Sequence, residues 1–277
     1  MKARHLFTLT LLAALGAAGP AGAESTRTAE DDARAIDDPR VQHLSYPFPG
    51  TDESIPYALF VPSGYDPAEP APLLVSLHGL GRTYDWLMGY HGLLDLAEAR
   101  GFVVVTPLGY TRRGWYGSRR TDVDGRELGV EAERSEQDVM AVLARVREAL
   151  AIDPDRIYLW GHSMGGAGTW HLAAQHPDLW AGIGLVAPAP PEGVTAAELL
   201  PRIRHLPAIV IQGTDDDLVS ASLTRSWVAA MAELGMQHLY VEIDGGDHSL
   251  LISQDRDNMR RIIDFFGIVC RCHRPGD

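Results

Sequence analysis

The chain has 277 residues, of which 45% are hydrophobic, and its 37 acidic and 24 basic side chains give a formal net charge of −13. A chain of this size and apolar content can bury one large core, and single α/β domains commonly reach this length. The acidic balance argues against nucleic acid or an anionic membrane surface as a partner.

The first 23 residues have the pattern of a secretory signal peptide. Lys2 and Arg4 supply the positive start, residues 6–18 form an apolar stretch, and small residues precede a predicted cleavage after Ala23. The apolar stretch is too short to span a membrane. We therefore expect no stable membrane insertion, and we predict a secreted or periplasmic protein.

Residues 24–45 are polar, acidic and aperiodic, which predicts a flexible N-terminal segment rather than a second domain. We place one folded domain over residues 46–269 and a short tail over residues 270–277. The tail contains the only two cysteines of the chain, Cys270 and Cys272. Secretion makes a disulfide possible, but a bridge across one residue is strained, which favours a weak structural or an intermolecular role. Their spacing does not complete a metal site, and we expect no metal and no cofactor.

Between these ends, strand-like and helix-like segments alternate along the chain. The predicted strands, which are short and apolar, are 55–61, 73–77, 102–106, 157–160, 182–186, 209–212 and 239–243. The predicted helices are 85–100, 135–150, 164–175, 220–234 and 253–266. Continuous apolar strands are typical of parallel sheets covered on both faces. The alternation therefore predicts an α/β fold with a doubly wound, mostly parallel sheet and helices on both sides.

The segment Gly161-His162-Ser163-Met164-Gly165 lies between a predicted strand and a predicted helix. A serine at such a sharp turn exposes its hydroxyl, and glycines two residues before and after it let the chain pack closely. The context predicts Ser163 as a nucleophile. The alternative is a glycine-rich turn in some other α/β protein.

A nucleophilic serine needs a base and a third group that orients the base. His248 and Asp216 each follow a predicted strand downstream, at the edge where open α/β sheets form their sites. His248 is the only histidine of its loop, and the alternative is a solvated loop residue. Asp215 and Asp217 compete with Asp216, which we favour because it is centred between the glycine that opens the loop and the valine that anchors it again.

The oxyanion formed by attack on an acyl group needs preorganised N–H donors. One predicted donor is the backbone N–H of Met164, the residue after the nucleophile. The other is the N–H of Leu80, in a loop where Gly79 and Gly81 allow it to point inward. We expect His78 to brace this turn by side-chain hydrogen bonds rather than to transfer protons.

These motifs resemble the α/β-hydrolases of the prolyl-oligopeptidase and carboxylesterase-like group. More narrowly, they resemble secreted single-domain esterases, often labelled predicted peptidases, that neighbour polyhydroxybutyrate depolymerases and feruloyl esterases. The resemblance covers roughly residues 50–267 and rests on residues 153–158 and 161–166, on His78-Gly79, on the spacing from Gly213 to Asp216 and on residues 246–248. It implies an α/β-hydrolase fold, with residues 46–269 as the catalytic domain.

Two segments bear on the substrate. Residues 187–206 are too few for a large cap, which favours bulky or polymer-linked esters. Residues 110–134 form a polar insertion that we expect to overhang the site, with Trp115 and Tyr116 as an aromatic platform; the alternative is a solvated loop whose aromatics pack locally. We also name His162 as a substrate contact, against the alternative of a packing or hydrogen-bonded helper. The insertion contains a basic patch suited to a carboxylate, formed by Arg112, Arg113, Arg119 and Arg120.

These features together predict a serine hydrolase with a Ser163–His248–Asp216 triad that cleaves a small-molecule or polymer-linked carboxylic ester. The alternatives are a serine peptidase of the prolyl-oligopeptidase type, an acyltransferase, and a non-catalytic binding protein. A complete triad argues against the last of these. The sequence determines neither the acyl and alcohol groups nor the oligomeric state.

Overall fold

The computed structural model describes residues 36–271. The predicted signal peptide, residues 1–23, and Cys272 lie outside this range. Cys270 is disulfide-bonded. The strands are β1 (Val41–Pro47), β2 (Ser54–Phe60), β3 (Ala71–Leu77), β4 (Val103–Pro107), β5 (Ile152–His162), β6 (Gly182–Val186), β7 (Ala208–Gly213) and β8 (His238–Ile243).

The helices lie between and after these strands. They are α1 (Leu93–Arg100), α2 (Val130–Ala149), α3 (Met164–Gln175), α4 (Ala196–Leu199), α5 (Ala221–Glu233), α6 (Leu250–Ser253) and α7 (Arg256–Ile268). Short 3₁₀ helices occur at Trp86–Gly89, Trp115–Gly117 and Leu200–Ile203. Strands and helices therefore alternate along most of the described chain.

The strands form a single sheet in the order β1-β2-β4-β3-β5-β6-β7-β8. β2 pairs antiparallel with β1 and with β4, and every later neighbour pairs parallel. The carboxyl ends of β5, β7 and β8 consequently open at the same edge of the sheet. This topology confirms the predicted doubly wound, mostly parallel sheet.

Both faces of the sheet are buried. Leu73 and Val75 of β3 point into one apolar cluster with residues of α2, α3 and α5, whereas Leu74 points into another with residues of α1 and α7. The period of two in a strand sends successive side chains to opposite faces, so a strand with a helix layer on each side is apolar throughout. The continuous apolar runs in the sequence have this origin.

One boundary prediction is wrong, because residues 41–45 belong to β1 and not to a flexible segment. The folded domain therefore begins before residue 46. β1 is the edge strand, and only Val41 and Tyr46 among its residues are buried. An edge strand with one partly covered face has no continuous apolar run, and for this reason β1 was not predicted from the sequence.

The helix predicted over residues 135–150 begins earlier, at Val130. Ser135, predicted as its first residue, is fully buried inside the helix. Its hydroxyl accepts a hydrogen bond from the backbone N–H of Tyr116 at 2.9 Å. A serine near the start of a predicted helix resembles a helix cap in sequence. In the structure, the hydroxyl of Ser135 instead holds the insertion against α2 through this hydrogen bond.

Two other predicted helices are interrupted. The segment 85–100 divides into a 3₁₀ turn and α1, with Gly92 between them at a φ of +88°. The segment 253–266 divides where α6 ends, and Asp255 starts α7 by accepting the N–H groups of Asp257 and Asn258. A capping side chain of this kind satisfies N–H groups that the first turn leaves without partners.

Candidate active site

Ser163 lies at the turn between β5 and α3. Its backbone has φ 59° and ψ −115°, a conformation that is costly for a residue with a Cβ atom. The flanking glycines make the turn possible. A Cβ on Gly165 would lie 2.0 Å from the carbonyl oxygen of Leu77, and one on Gly161 would lie 2.1 Å from the carbonyl oxygen of Gly165. Larger residues at these positions would collide with backbone atoms.

Ser163, His248 and Asp216 form one hydrogen-bonded chain. Nε2 of His248 is 2.8 Å from Oγ of Ser163, and Nδ1 is 2.8 Å and 2.9 Å from the carboxylate oxygens of Asp216. The loops after β7 and β8 lie so close together that a Cβ on Gly213 would be only 2.1 Å from the carbonyl oxygen of Gly246, so glycine is required at this contact. The structure thus brings the three residues together at the carboxyl edge of the sheet.

Asp216, and not its neighbours Asp215 and Asp217, contacts the histidine. Its side chain is buried, whereas both neighbours are exposed. Burial opposes ionisation of Asp216, but hydrogen bonds from His248 and from the N–H groups of Val219 and Leu218 outweigh it and lower its pKa. Asp216 is therefore ionised at neutral pH and held in one orientation.

Gln212, which the sequence motifs did not reveal, supports this carboxylate from the end of β7. Its side-chain nitrogen donates to Asp216 Oδ2 at 2.9 Å, and its side-chain oxygen accepts from the hydroxyl of Thr224 at 2.8 Å. Both Gln212 and Thr224 are buried. A buried amide usually has partners for its polar atoms, so a glutamine ending an otherwise apolar strand was the available signal.

His162 does not face the substrate side as predicted. Only 1% of it is exposed, and both ring nitrogens are used. Nε2 donates to the backbone carbonyl of His248 at 2.7 Å, and Nδ1 accepts from the hydroxyl of Tyr90 at 2.5 Å. Burial, with the neighbouring charge of His248, lowers the pKa of His162 to about 3. The neutral ring of His162 therefore braces the histidine loop, which was the alternative interpretation.

Two backbone N–H groups are available near the serine hydroxyl. Met164 is the first residue of α3, so its N–H has no acceptor within the helix. Within the described residues, neither this N–H nor that of Leu80 meets a hydrogen-bond acceptor. Residues 78–81, which follow β3 and are called the Leu80 loop below, lie beside the nucleophile, since a Cβ on Gly79 would be 3.6 Å from Cβ of Ser163.

His78 holds the backbone of the Leu80 loop in place. Its ring is fully buried, with Nδ1 2.8 Å from the carbonyl oxygen of Gly79 and Nε2 2.8 Å from that of Leu108. Burial lowers the pKa of His78, which favours a neutral ring that donates its single proton to one of these carbonyls at a time. This arrangement matches a bracing role better than proton transfer.

The predicted aromatic platform is wrong, because Trp115 and Tyr116 are buried, with exposures of 3% and 0%. Trp115 donates its indole N–H to Asp122 at 2.9 Å. The hydroxyl of Tyr116 accepts the backbone N–H of His78 at 3.0 Å. The aromatic part of the insertion therefore packs inside the domain. Tyr116 stabilises the Leu80 loop through its hydrogen bond to His78 and does not contact a substrate.

Residues 36–271 contain no helix that is long and apolar enough to cross a membrane. Over the same range, no group of three or more histidine, cysteine, aspartate or glutamate side chains is arranged to hold a metal ion. The polar groups gathered around Ser163 are a hydroxyl, an imidazole, a carboxylate and backbone N–H groups. This set is suited to nucleophilic attack and to stabilisation of an oxyanion.

Residues 49–249 match a family model described as "Putative esterase". The chain belongs to this esterase family. The matched residues include Ser163, Asp216 and His248, so the hydrogen-bonded chain lies inside the region that defines the family. The family match agrees with the resemblance inferred from the sequence motifs.

Curated relatives of this esterase-family chain carry related names. A bifunctional acetylxylan esterase/xylanase of Neocallimastix patriciarum is 30% identical over 162 residues, 58% of this chain and 21% of the relative. A putative esterase of Nocardia uniformis subsp. tsuyamanensis is 33% identical over 153 residues, 54% of this chain and 41% of the relative. The chain spans less than half the length of these curated relatives.

Solved structures establish the fold of this esterase-family chain. A thermostable esterase superposes with a TM-score of 0.61 at 25% identity, covering 84% of this chain and 64% of that one. A CE1 ferulic acid esterase from Anaeromyces mucronatus superposes with a TM-score of 0.64 at 18% identity, covering 83% and 90%. With the sheet order described above, these likenesses show an α/β-hydrolase fold.

Proposed function

We propose that this chain is a serine hydrolase that cleaves carboxylic esters through an acyl-enzyme intermediate. The observation that carries the proposal is the continuous hydrogen-bonded chain from Ser163 Oγ through His248 to Asp216, with distances of 2.8 Å at both junctions. An imidazole placed in this way can take the serine proton while a carboxylate stabilises the resulting imidazolium. Membership of the esterase family supports an ester as the substrate.

Acylation begins when Nε2 of His248 accepts the proton of Ser163 as Oγ attacks the ester carbonyl carbon. The N–H groups of Met164 and Leu80 donate to the oxyanion that forms. Collapse of this intermediate breaks the bond to the alcohol oxygen, and His248 returns the proton to the leaving alcohol. In deacylation, His248 accepts a proton from the water that attacks the acyl-enzyme. It then returns this proton to Oγ of Ser163, which releases the carboxylic acid and restores the serine.

We infer that the substrate is bulky or polymer-linked. The connection from β6 to β7 contains only the four-residue α4 and a short 3₁₀ turn, which is a small cover for an active site. Ser163 itself is partly exposed. The name of the acetylxylan esterase relative is in keeping with acyl groups carried on a polymer.

Replacing the nucleophile tests the mechanism. Ser163→Ala should lower kcat/KM for 4-nitrophenyl acetate by roughly 10³-fold or more, and it should abolish labelling by a fluorophosphonate probe. Ser226→Ala, an exposed serine on α5, is the matched control and should behave as wild type. Near-wild-type ester cleavage by Ser163→Ala would reject the assignment. A panel of methyl ferulate, hydroxybutyrate polymer and peptide anilides then separates esterase from peptidase.

We also propose export from the cytoplasm with cleavage after Ala23. The support is the sequence pattern of residues 1–23, which has a basic start, an apolar stretch and small residues before the cleavage site. Intact-mass measurement of protein recovered from the periplasm or the medium should give a chain that starts at Glu24. An exported protein that retains residues 1–23 would contradict this proposal.

A further inference from the structure

A recess of about 320 Å³ lies beside the Leu80 loop, lined by Arg82, Thr83, Trp86 and Arg112. Gly79 connects this recess to the nucleophile. A Cβ on Gly79 would be 3.6 Å from Cβ of Ser163 on one side and 3.8 Å from the ring of Trp86 on the other. A substrate attached at Ser163 therefore has the recess within reach of its substituents.

The guanidinium of Arg82 stands over the ring of Trp86, with its central carbon 4.6 Å from the ring centroid. The backbone N–H of Arg82 donates to the carbonyl oxygen of Gly79 at 3.2 Å, but its guanidinium forms no ion pair or hydrogen bond with any described residue. A cation–π contact uses the flat face of a guanidinium and leaves the N–H donors on its edge unpaired. Trp86 thus positions a partly buried cation without neutralising it.

Asp85, the carboxylate nearest to Arg82 in sequence, does not form an ion pair with it. Its side chain is buried, and one oxygen accepts the backbone N–H of Ile36 at 2.6 Å. The second guanidinium of the recess, that of Arg112, donates through Nε to the carbonyl oxygen of Gly81 at 2.8 Å. Two guanidinium groups consequently border one recess next to the Leu80 loop.

Most of the basic patch predicted from the sequence is engaged elsewhere. Arg113 pairs with Asp122 at 2.7 Å, and Arg120 lies 3.6 Å from Glu133. Arg119 stands over the ring of Trp115 and donates to a backbone carbonyl. Of the basic residues near the site, Arg82, which lies outside the predicted patch, is therefore the one best placed to recognise a carboxylate.

We propose that this recess binds an anionic substituent of the ester substrate, a carboxylate carried on the acyl or the alcohol side, with Arg82 as the specificity-determining residue. The proposal rests on the ester hydrolysis proposed above. A guanidinium edge matches a carboxylate in two parallel hydrogen bonds. Because the protein has a net charge of −13, its overall field repels anions. Selection must therefore come from this short-range contact.

The test compares matched charged and neutral esters. On the acyl side the pair is monomethyl terephthalate and methyl 4-carbamoylbenzoate, and on the alcohol side it is 4-carboxyphenyl acetate and 4-carbamoylphenyl acetate. The measured quantity is the charged-to-neutral ratio of kcat/KM. Comparing this ratio between wild type and variants cancels the intrinsic reactivity of each ester.

Arg82→Gln should lower the charged-to-neutral ratio about tenfold for at least one pair, the scale of a partly exposed charge-assisted hydrogen bond. Arg82→Lys, which keeps the charge but not the planar fork, should lie between the two. The control Arg147→Gln removes an exposed charge from α2 and should leave the ratio unchanged. The pair that responds identifies the side of the ester that carries the anion.

Salt dependence provides a second measurement. Screening lengths fall from about 30 Å at 0.01 M to about 3 Å at 1 M salt. Added salt relieves the repulsion by the net charge in both proteins but weakens an attraction to Arg82 in the wild type only, so the charged-to-neutral ratio should fall with salt in the wild type relative to Arg82→Gln. Equal ratios for wild type and Arg82→Gln, with both neutral esters hydrolysed, would overturn this inference alone. If none of the four esters is hydrolysed although 4-nitrophenyl acetate is, this inference alone is overturned. If 4-nitrophenyl acetate is not hydrolysed either, the proposed function fails as well.

Discussion

Asp216→Asn is predicted to disable the site with almost no change in side-chain size. In the wild type, one carboxylate oxygen accepts the N–H groups of Leu218 and Val219, and the other accepts from Gln212. In the variant, the two backbone donors should bind the single remaining oxygen, which turns the new NH₂ group toward His248 Nδ1. The ring would then carry its proton on Nε2 and could not accept from the serine hydroxyl.

The expected loss follows from the charge that is removed. An aspartate and an imidazolium about 4 Å apart interact by about 4 kcal/mol at an effective dielectric constant near 20, which corresponds to roughly 10³-fold in rate. The unfavourable ring tautomer adds to this, so we expect kcat to fall by 10³- to 10⁴-fold, the approximate scale of such a change in a serine triad. Substrate binding should change far less, because the carboxylate does not contact the substrate.

The neighbouring aspartate offers a matched control. Asp217→Asn makes the same chemical change one residue away, on a side chain that is exposed. Both variants are compared by kcat and KM for 4-nitrophenyl acetate, with circular dichroism to confirm folding. A fall of less than tenfold for Asp216→Asn, or an equal fall for Asp217→Asn, would show that another carboxylate orients His248.

Three further outcomes follow from buried contacts. Gly165→Ala should destabilise the fold by about 1–3 kcal/mol or more in denaturant unfolding, because its Cβ would lie 2.0 Å from a backbone oxygen of β3. Gly64→Ala, with open space around it, should change stability by less than about 0.5 kcal/mol, and similar losses for both would refute the steric argument. Tyr90→Phe leaves Nδ1 of His162 without its donor and should cost about 1–3 kcal/mol by the same measurement, whereas no loss would mean that water replaces the hydroxyl. Burial raises the pKa of Asp138 to about 6, so the contribution of this residue to stability should be lost as the pH rises from about 4 through 6, since the unfolded chain gives up that proton first. Asp138→Asn should remove this loss in thermal melts across that range, and an unchanged pH profile would contradict the assignment.

The sequence predicted the repetitive parts of the fold well. Continuous apolar runs mark strands such as β4 and β6, because a strand covered on both faces has no polar side to interrupt the pattern. The edge strand β1 escaped notice because most of its residues are exposed or only half-buried, and only two are buried. The hydrophobic pattern of a strand depends on which of its faces are buried, and an edge strand that is mostly exposed has only a weak pattern.

Local motifs were informative where chemistry and backbone geometry require particular residues close together in the chain. The turn at Ser163 is one example, since only glycine tolerates the approach of backbone atoms at positions 161 and 165. Motifs could not reveal contacts between distant segments. Tyr116 and His78 are 38 residues apart, and Tyr90 and His162 are 72 residues apart.

The order of residues along the chain by itself determined the sheet class, the turn that bears the serine, and the loops that carry the histidine and the aspartates. The sequence favoured Asp216 among three consecutive aspartates without excluding its neighbours, and the structure shows that Asp216 contacts His248. Tertiary structure alone decided that Trp115 and Tyr116 are buried, and that the guanidinium of Arg82 has no ion-pair partner among the described residues. The physical reason is that burial and pairing depend on every segment that packs around a side chain, whereas strand patterns and tight turns depend on a few adjacent residues.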